Sequence, residues 1–274
     1  MAEQSRGVFE PGFLSTQYGQ AFFLTYPAVT DANHRAVLVL PAFAEEMNKC
    51  RRQVALTARA LARAGLSVYL PDLIGTGDSD GNFGDATLAI WQDTLTVALD
   101  SIHKRGHSDV AWLCVRGGAL LADGMLRAGA PAPSRMVLWQ PVLSGKTMLS
   151  QFLRLKAMSA MTRAQSAPSV SELRKQLASG SPVEVAGYEL NPALVSGVDA
   201  LNVRQMAPVG SIDWLVVQDD EALPAAVSTA SAAMADQHGA LNVETVPGSP
   251  FWSTAEIAVA PELTRRTVEL LGAA

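Results

Sequence analysis

A five-residue turn, Cys114-Val115-Arg116-Gly117-Gly118, has the spacing of a site for acyl transfer. It follows an apolar run that is predicted to be a strand, and it leads into residues 119–122, which are predicted to be helical. A strand, a sharp turn with small residues two positions before and after its tip, and a helix form the G-x-S-x-G arrangement that presents a nucleophile. The tip residue here is Arg116, which stays protonated and cannot act as an acyl-transfer nucleophile. The sequence therefore predicts a turn built for hydrolysis whose tip carries a cation.

The backbone around this turn can still hold an oxyanion. In such sites two N–H groups bind the carbonyl oxygen, one after the tip and one in the loop after the first buried strand. These positions correspond to Gly117 and to Phe43 or its neighbour. Backbone donors do not depend on the side chain at the tip, so we assign Phe43 and Gly117 to ligand binding.

The acid and the histidine that usually accompany a serine nucleophile are only partly present. Asp219 or Asp220 follows a predicted strand at residues 212–218, where a catalytic acid would lie, although carboxylates in surface turns are also common. The histidine should follow Val246-Pro247-Gly248, but Ser249-Pro250-Phe251-Trp252 stands there. We assign Asp219 to catalysis and Trp252 to ligand binding.

Other candidate catalysts have simpler structural interpretations. The four histidines (His34, His103, His107 and His238) are predicted to be exposed residues of loops or helix ends. Cys114 is predicted to be a buried small hydrophobe, which is the usual role of a free cysteine. Ser79 lies in a loop after a strand, in a position typical of hydrolases in which that serine is not the nucleophile.

Two roles are open for Arg116. As a structural plug, its guanidinium would pair with Glu45, Glu46 or Asp72 and fill the former nucleophile site. As an anion receptor, it would add a planar, two-pronged contact at a helix N-terminus, where the dipole already favours negative charge. We favour the second role, because a strained tip costs a non-glycine residue about 1–3 kcal/mol and a purely structural turn seldom needs arginine there. Arg116→Ala is then expected to abolish binding of an acidic ligand.

Two carboxylates, Glu45 and Glu46, lie in the first loop at the mouth of the expected pocket. A carboxylate desolvated in a cleft can act as a general base toward water. Alternatively, both residues stabilise the first turn of the following helix, where acids are favoured. We assign Glu46 and Arg116 to catalysis, and Glu45 and Asp72 to ligand binding.

The composition narrows the class of protein further. With 274 residues, 49% hydrophobic and 17% charged, the chain has ample material for a large core. Its formal net charge of −5 argues against a nucleic-acid partner. We predict no membrane span, no secretory signal, no metal site and no cofactor, and two cysteines are too few for a disulfide framework. The expected location is cytoplasmic.

Alternating apolar strands and amphipathic helices place these residues in an α/β fold. The order β-α-β-α-β-α-β up to residue 140 predicts a mostly parallel sheet with helices on both faces. Residues 145–205 are predicted to be mainly helical (residues 148–161 and 170–178), with one weak strand at residues 183–186. We therefore predict a core of residues 1–144 and 206–274 and a helical cap or lid formed by residues 145–205.

Several segments together resemble the α/β-hydrolase fold. They are the loop at residues 40–43, the loop at residues 71–81, the turn around Arg116 and the segment at residues 246–248. More closely, Pro41-Ala42-Phe43-Ala44-Glu45-Glu46-Met47-Asn48-Lys49-Cys50-Arg51-Arg52 and Gly81-Asn82-Phe83-Gly84-Asp85-Ala86-Thr87 resemble the exosortase A system-associated hydrolase 2 family. The resemblance covers nearly the whole chain. It implies a hydrolase-like fold and a genetic setting beside bacterial exopolysaccharide and protein-sorting genes.

Two functions follow as expectations. The first is hydrolysis of an ester, thioester or related acyl group linked to a surface polysaccharide or lipid precursor. In it, Glu46 or Asp219 activates water, and Arg116 and backbone N–H groups stabilise the anion. The second is a pseudo-hydrolase that binds an acidic or acyl ligand, or a partner protein through the cap, without turnover.

Overall fold

A mixed eight-stranded sheet organises the chain. The computed structural model describes residues 9–30, 34–162 and 168–272, with side chains described up to residue 158 in the second range. The strands are β1 (Glu10–Thr16), β2 (Gly19–Tyr26), β3 (Arg35–Leu40), β4 (Ser67–Pro71), β5 (Asp109–Val115), β6 (Arg135–Trp139), β7 (Val183–Val185), β8 (Tyr188–Leu190), β9 (Ser211–Val217) and β10 (Leu241–Val246). The main sheet has the order β1-β2-β4-β3-β5-β6-β9-β10, and β7 and β8 form a separate hairpin.

The apolar runs of the sequence explain why the middle of the sheet is parallel. Strands β3, β5, β6 and β9 are buried on both faces, as parallel strands covered by helices must be. All the pairings from β4 to β10 are parallel, whereas β1 and β2 extend the edge by antiparallel pairing. The predicted fold class, a mostly parallel sheet with helices on both faces, is confirmed.

Helices cover the two faces of the sheet. They are α1 (Glu45–Arg63), α2 (Leu88–Lys104), α3 (Gly118–Arg127), α4 (Gly145–Thr162), α5 (Val170–Ala178), α6 (Pro192–Asp199), α7 (Ala225–Met234) and α8 (Pro261–Gly272). Helices α1 and α8 pack on one face, and a buried Gln53 side chain of α1 joins them by bonding the backbone of Ala260. Helices α2 and α3 pack on the other face.

Strand β1 and helix α1 are among the elements that differ from the sequence-based expectation. Strand β1 was not predicted, because Pro11 and Gly12 disfavour a strand interior; an edge strand tolerates both residues. The apolar spacing of the sequence predicts a helix over residues 51–64, but α1 begins at Glu45, so the acidic pair lies inside its first turn. This earlier start fixes the directions in which Glu45 and Glu46 point.

The segment at residues 145–205 contains α4, α5, the β7–β8 hairpin and α6, with a short 3₁₀ turn at Val203–Gln205. The division into core and cap stays a prediction, but the packing of this segment is clear. Aromatic rings from it meet rings of the sheet layer at centroid distances of 5.3 and 5.0 Å, and its own Phe152 and Tyr188 rings lie 6.2 Å apart. We call this the aromatic cluster: Phe43, Phe83, Trp91, Phe152 and Tyr188.

Candidate functional site

The turn between β5 and α3 has the backbone of a strained presentation site. Arg116 at its tip has φ 54°, a left-handed conformation that costs a non-glycine residue energy. Its N–H donates to the carbonyl of Trp139 (3.0 Å), and its carbonyl accepts from Val142 (3.1 Å). A Cβ atom at Gly118 would lie 2.2 Å from the Leu40 carbonyl oxygen, so this position requires glycine. The turn therefore has the tight packing that the motif predicts.

The Arg116 side chain is nearly buried and forms a compact ionic site. Its Nε and Nη2 atoms donate to the two carboxylate oxygens of Glu46 at 3.2 and 2.9 Å, in the two-pronged geometry that arginine favours. Its Nη1 atom donates to the Gln140 carbonyl at 2.8 Å. The guanidinium carbon lies 4.7 Å from the ring centroid of Trp252, a cation–π contact. Of the three acids considered for Arg116, Glu46 is the one it pairs with.

A pocket of about 220 Å³ opens beside this pair, and we call it the α4 pocket. Its apolar walls come from the first loop, the start and middle of α4 and the segment after β10: Phe43, Val142, Met148, Phe152, Leu155 and Trp252. Its polar lining consists of Glu45, Glu46, Lys49, Gln151 and Ser253. The pocket can take an apolar group and present one end of it to Glu46.

The expected oxyanion donors lie at the side of this pocket. A Cβ atom built at Gly117 would be 3.6 Å from the Phe43 amide nitrogen, so the two backbone amides lie near each other. Neither N–H has a protein acceptor within the described residues. A second cavity of about 20 Å³ borders Phe43, Gly117 and Met148, which is room for one oxygen atom. Ala44, with φ 48°, makes the bend that brings this loop to Gly117.

Of three other residues assigned from sequence, Glu45 lines the α4 pocket, whereas Asp72 and Asp219 do not. Asp72 is buried and accepts from Arg51 Nη2 at 3.2 Å and from the Asp78 amide at 3.0 Å, outside the α4 pocket. Asp219 is exposed; it accepts from the Gly248 amide at 3.2 Å and does not line the pocket. Glu45 lines the pocket. The pKa of the Tyr188 phenol is raised, first by the burial of Tyr188 itself and second by the negative charge of Glu45.

Sequence reasoning missed two contributors to the site. Gln140, with φ 42°, gives its carbonyl to Arg116 and uses its side-chain oxygen to hold the Val217 amide. Met148 lines both the α4 pocket and the small cavity and packs against Gly117. The only signal for Gln140 was its position directly after a buried strand, and Met148 carried none.

A family model described as serine aminopeptidase, S33, matches residues 31–221 of the chain. The chain belongs to this family. Membership of the S33 family favours a hydrolase and supports the α/β-hydrolase superfamily. The closer resemblance to the exosortase A system-associated family stays a prediction. No curated protein matches the sequence significantly.

Solved structures share the fold of this S33 family member at low sequence identity. Est1E from Butyrivibrio proteoclasticus with bound ferulic acid is 16% identical, with a TM-score of 0.64 over 94% of this chain and 97% of that one. Proline iminopeptidase from Mycobacterium smegmatis is 14% identical (TM-score 0.60; 96% and 97% covered). A thermostable carboxyl esterase from Bacillus coagulans is 12% identical (TM-score 0.61; 96% and 97% covered). These likenesses show the fold alone.

The histidines of the chain differ in part from the expectation. His34 and His103 are exposed as predicted, but His107 and His238 are buried, and for these two the prediction was wrong. His107 Nε2 bonds the Tyr69 hydroxyl at 2.8 Å, and His238 Nδ1 faces the Val209 amide. Burial lowers the pKa of His238. Neither of the two lines the α4 pocket.

Both cysteines are buried thiols. Burial, and then the Glu46 charge, raises the pKa of Cys50 to about 12, and burial raises the pKa of Cys114.

We expect neither thiol to react with a disulfide reagent at pH 8 in the folded protein, although both react in urea. A raised folded-state pKa means that the thiols' contribution to stability is complete below pH 9 and is lost as the pH rises towards 12. Native-state thiol titration and unfolding curves at pH 8 and 10 test this; rapid labelling of the folded chain would contradict it.

Within residues 9–30, 34–162 and 168–272, no three or more His, Cys, Asp or Glu side chains are grouped to hold a metal ion. Over the same part of the chain, no helix is both long enough and apolar enough to cross a membrane.

Proposed function

We propose that this chain hydrolyses an acyl ester or thioester by direct attack of water, with Glu46 as the general base and no covalent acyl intermediate. One observation carries the proposal. The Glu46 carboxylate lines the α4 pocket and is oriented by two hydrogen bonds from Arg116, which occupies the tip where a serine nucleophile would stand. We infer from this contact that the triad is degenerate and that the Arg116–Glu46 pair takes its place.

The chemistry follows from the positions of the groups. The carbonyl carbon of the substrate lies in the α4 pocket with its oxygen directed to the Phe43 and Gly117 amides. Water attacks this carbon while Glu46 takes its proton, and the two N–H groups hold the oxyanion. The intermediate then collapses: the bond to the leaving oxygen or sulfur breaks, and Glu46 returns the proton to that atom. Arg116 acts as a positioning residue that holds the base and offsets its charge.

The pocket lining supports an acyl group as the part of the substrate that is bound. Phe43, Phe152 and Leu155 offer an apolar wall. The resemblance of residues 41–52 and 81–87 to the exosortase A system-associated hydrolase 2 family supports a surface polysaccharide or lipid precursor as the carrier of that group. We propose a cytoplasmic setting on the same ground.

Replacement of Glu46 by glutamine tests the proposal. Loss of a general base costs about 10²- to 10⁴-fold in rate, so Glu46→Gln is expected to lower kcat on a panel of acyl esters and thioesters at least 100-fold. The matched control is Glu184→Gln, an exposed carboxylate of β7 that does not line the α4 pocket, which is expected to retain activity within about threefold. Turnover that is retained in Glu46→Gln would contradict the proposal. Covalent labelling of the natural chain by a fluorophosphonate probe would do the same, because it requires a serine nucleophile.

A specific observation favours a second candidate, a pseudo-hydrolase. Met148 Sδ would lie 2.8 Å from a Cβ atom at Gly117, and we infer that this side chain crowds the oxyanion donors. A protein that only binds an acyl or acidic ligand, or a partner through residues 145–205, has no need to uncover them. Saturable binding of an acyl ligand without turnover by the natural chain, together with loss of an acidic ligand in Arg116→Ala, would establish this candidate instead.

A further inference from the structure

A further cavity, distinct from the α4 pocket and from the small cavity beside Gly117, lies on the other side of the first turns of α1. It has a volume of about 170 Å³ and shares no lining residue with the α4 pocket. It lies between α1 and strands β2, β3 and β4, which contribute most of its walls. We call it the α1 cavity.

The interior of the α1 cavity is apolar. Leu24 and Leu70 of the sheet face Met47, Val54 and Ala55 of the helix. An apolar cavity of about 150 Å³ is large enough to bind a benzene ring, so this one can take a short hydrocarbon chain. Burial of such a chain is favourable, because each methylene group is removed from water.

The α1 cavity also has a charged group at its opening. The Arg51 side chain is 46% exposed and lines the cavity together with Asp72. Arg51 uses only its Nη2 atom to bond Asp72; within the described residues its Nε and Nη1 atoms have no acceptor. Each of these two atoms can donate a charged hydrogen bond to a carboxylate or phosphate oxygen at this edge of the guanidinium. The cavity thus joins an apolar interior to an anion-binding edge.

An exposed aromatic surface continues from the cavity. Phe22 lines the α1 cavity and packs edge-on against Phe13 of β1 at 5.6 Å between centroids. Phe13 is 60% exposed on the edge strand β1. Atoms of a ligand that do not fit inside the cavity can therefore rest on this surface.

We propose that the α1 cavity is a binding site for an alkyl chain with an anionic head group. The chain lies beneath α1 against Leu24, Val54 and Leu70, and the head group binds the free edge of Arg51. This site does not depend on the proposed hydrolytic function, because none of its residues takes part in that reaction.

The test uses methionine methyl groups as reporters in the full chain. Met47 lines the α1 cavity, and Met148 lines the α4 pocket. Octanoate, octyl phosphate and octan-1-ol are titrated separately into protein with ¹³C-labelled methionine methyls, assigned through Met47→Leu and Met148→Leu. We expect saturable shifts of the Met47 methyl with both anions and weaker binding of the alcohol. Comparison of the carboxylate with the phosphate distinguishes a fatty-acid head group from a phospholipid-like one.

Four variants localise the ligand. Ala55→Trp fills the α1 cavity and is expected to abolish the Met47 shift, whereas Leu56→Trp adds the same ring outside the cavity and is expected to leave it intact. Arg51→Gln is expected to weaken both anions at least tenfold and the alcohol less than twofold, with Arg52→Gln as its control. Octanoate affinity unchanged in Ala55→Trp, or a shift confined to Met148, would overturn the proposal. So would the absence of any saturable Met47 shift.

Discussion

An Arg116→Met variant is expected to unfold with a free energy about 2 kcal/mol below that of the natural chain, because it breaks the ionic pair at the turn. Methionine keeps much of the length and the apolar contact with Trp252. It removes three hydrogen bonds and leaves the Glu46 carboxylate without its ion-pair partner. Breaking a fully buried pair costs about 3–5 kcal/mol, and the 31% exposure of the Glu46 side chain reduces that figure. Urea unfolding followed by circular dichroism measures the difference.

A double-mutant cycle measures how much of this loss of unfolding free energy comes from the interaction between Arg116 and Glu46. If Glu46 is destabilising once its partner is gone, Arg116→Met with Glu46→Gln should be more stable than Arg116→Met alone by about 1 kcal/mol. Gln140 supplies a backbone carbonyl and is unchanged in each variant, so it does not enter the coupling. Strictly additive losses would mean that Arg116 and Glu46 stabilise the fold independently, which would contradict the pairing.

The same pair shows what the sequence could predict. The turn was recognisable because any such turn has positions where only glycine fits. Gly118 is one of them, since a Cβ atom there would clash with the Leu40 carbonyl oxygen. The choice among Glu45, Glu46 and Asp72 was not predictable. Successive helix residues point about 100° apart, so the partner depends on where α1 begins. A start at Arg51 leaves Glu45 and Glu46 in a loop with no defined direction, whereas the true start at Glu45 aims Glu46 at the turn.

Contacts between distant loops could not be predicted from the sequence, for a different reason. The segment after β10 was recognisable as the place for a histidine, and the absence of one was plain. That Trp252 would lie over Arg116 depends on the conformation of an irregular loop, which no periodicity encodes. The burial of His107 likewise depends on Tyr69, a residue 38 positions away in the chain. Strand and helix patterns are local, but both of these pairings are tertiary.

A Phe43→Ala variant is expected to lose about 3–4 kcal/mol of unfolding free energy, the range for a large ring removed from a core. Phe43 is 8% exposed and meets Phe83, Trp91 and Phe152 edge-on at 5.8, 6.0 and 5.3 Å between centroids. It is therefore the centre of the aromatic cluster that joins α4 to the sheet layer. Urea unfolding gives the change in stability.

The size and place of that loss separate Phe43 from an ordinary phenylalanine. Phe13→Ala is the matched control, because Phe13 is 60% exposed on the edge strand, and it should cost less than about 1 kcal/mol. In Phe43→Ala we also expect faster proteolytic cleavage within residues 145–205, because Phe152 loses a ring partner and the segment opens more often. Equal losses in the two variants, or unchanged cleavage, would contradict the view that this ring holds the segment over the α4 pocket. Since Phe43 is also the proposed source of an oxyanion N–H, its ring would couple the closure of the pocket to the position of that donor.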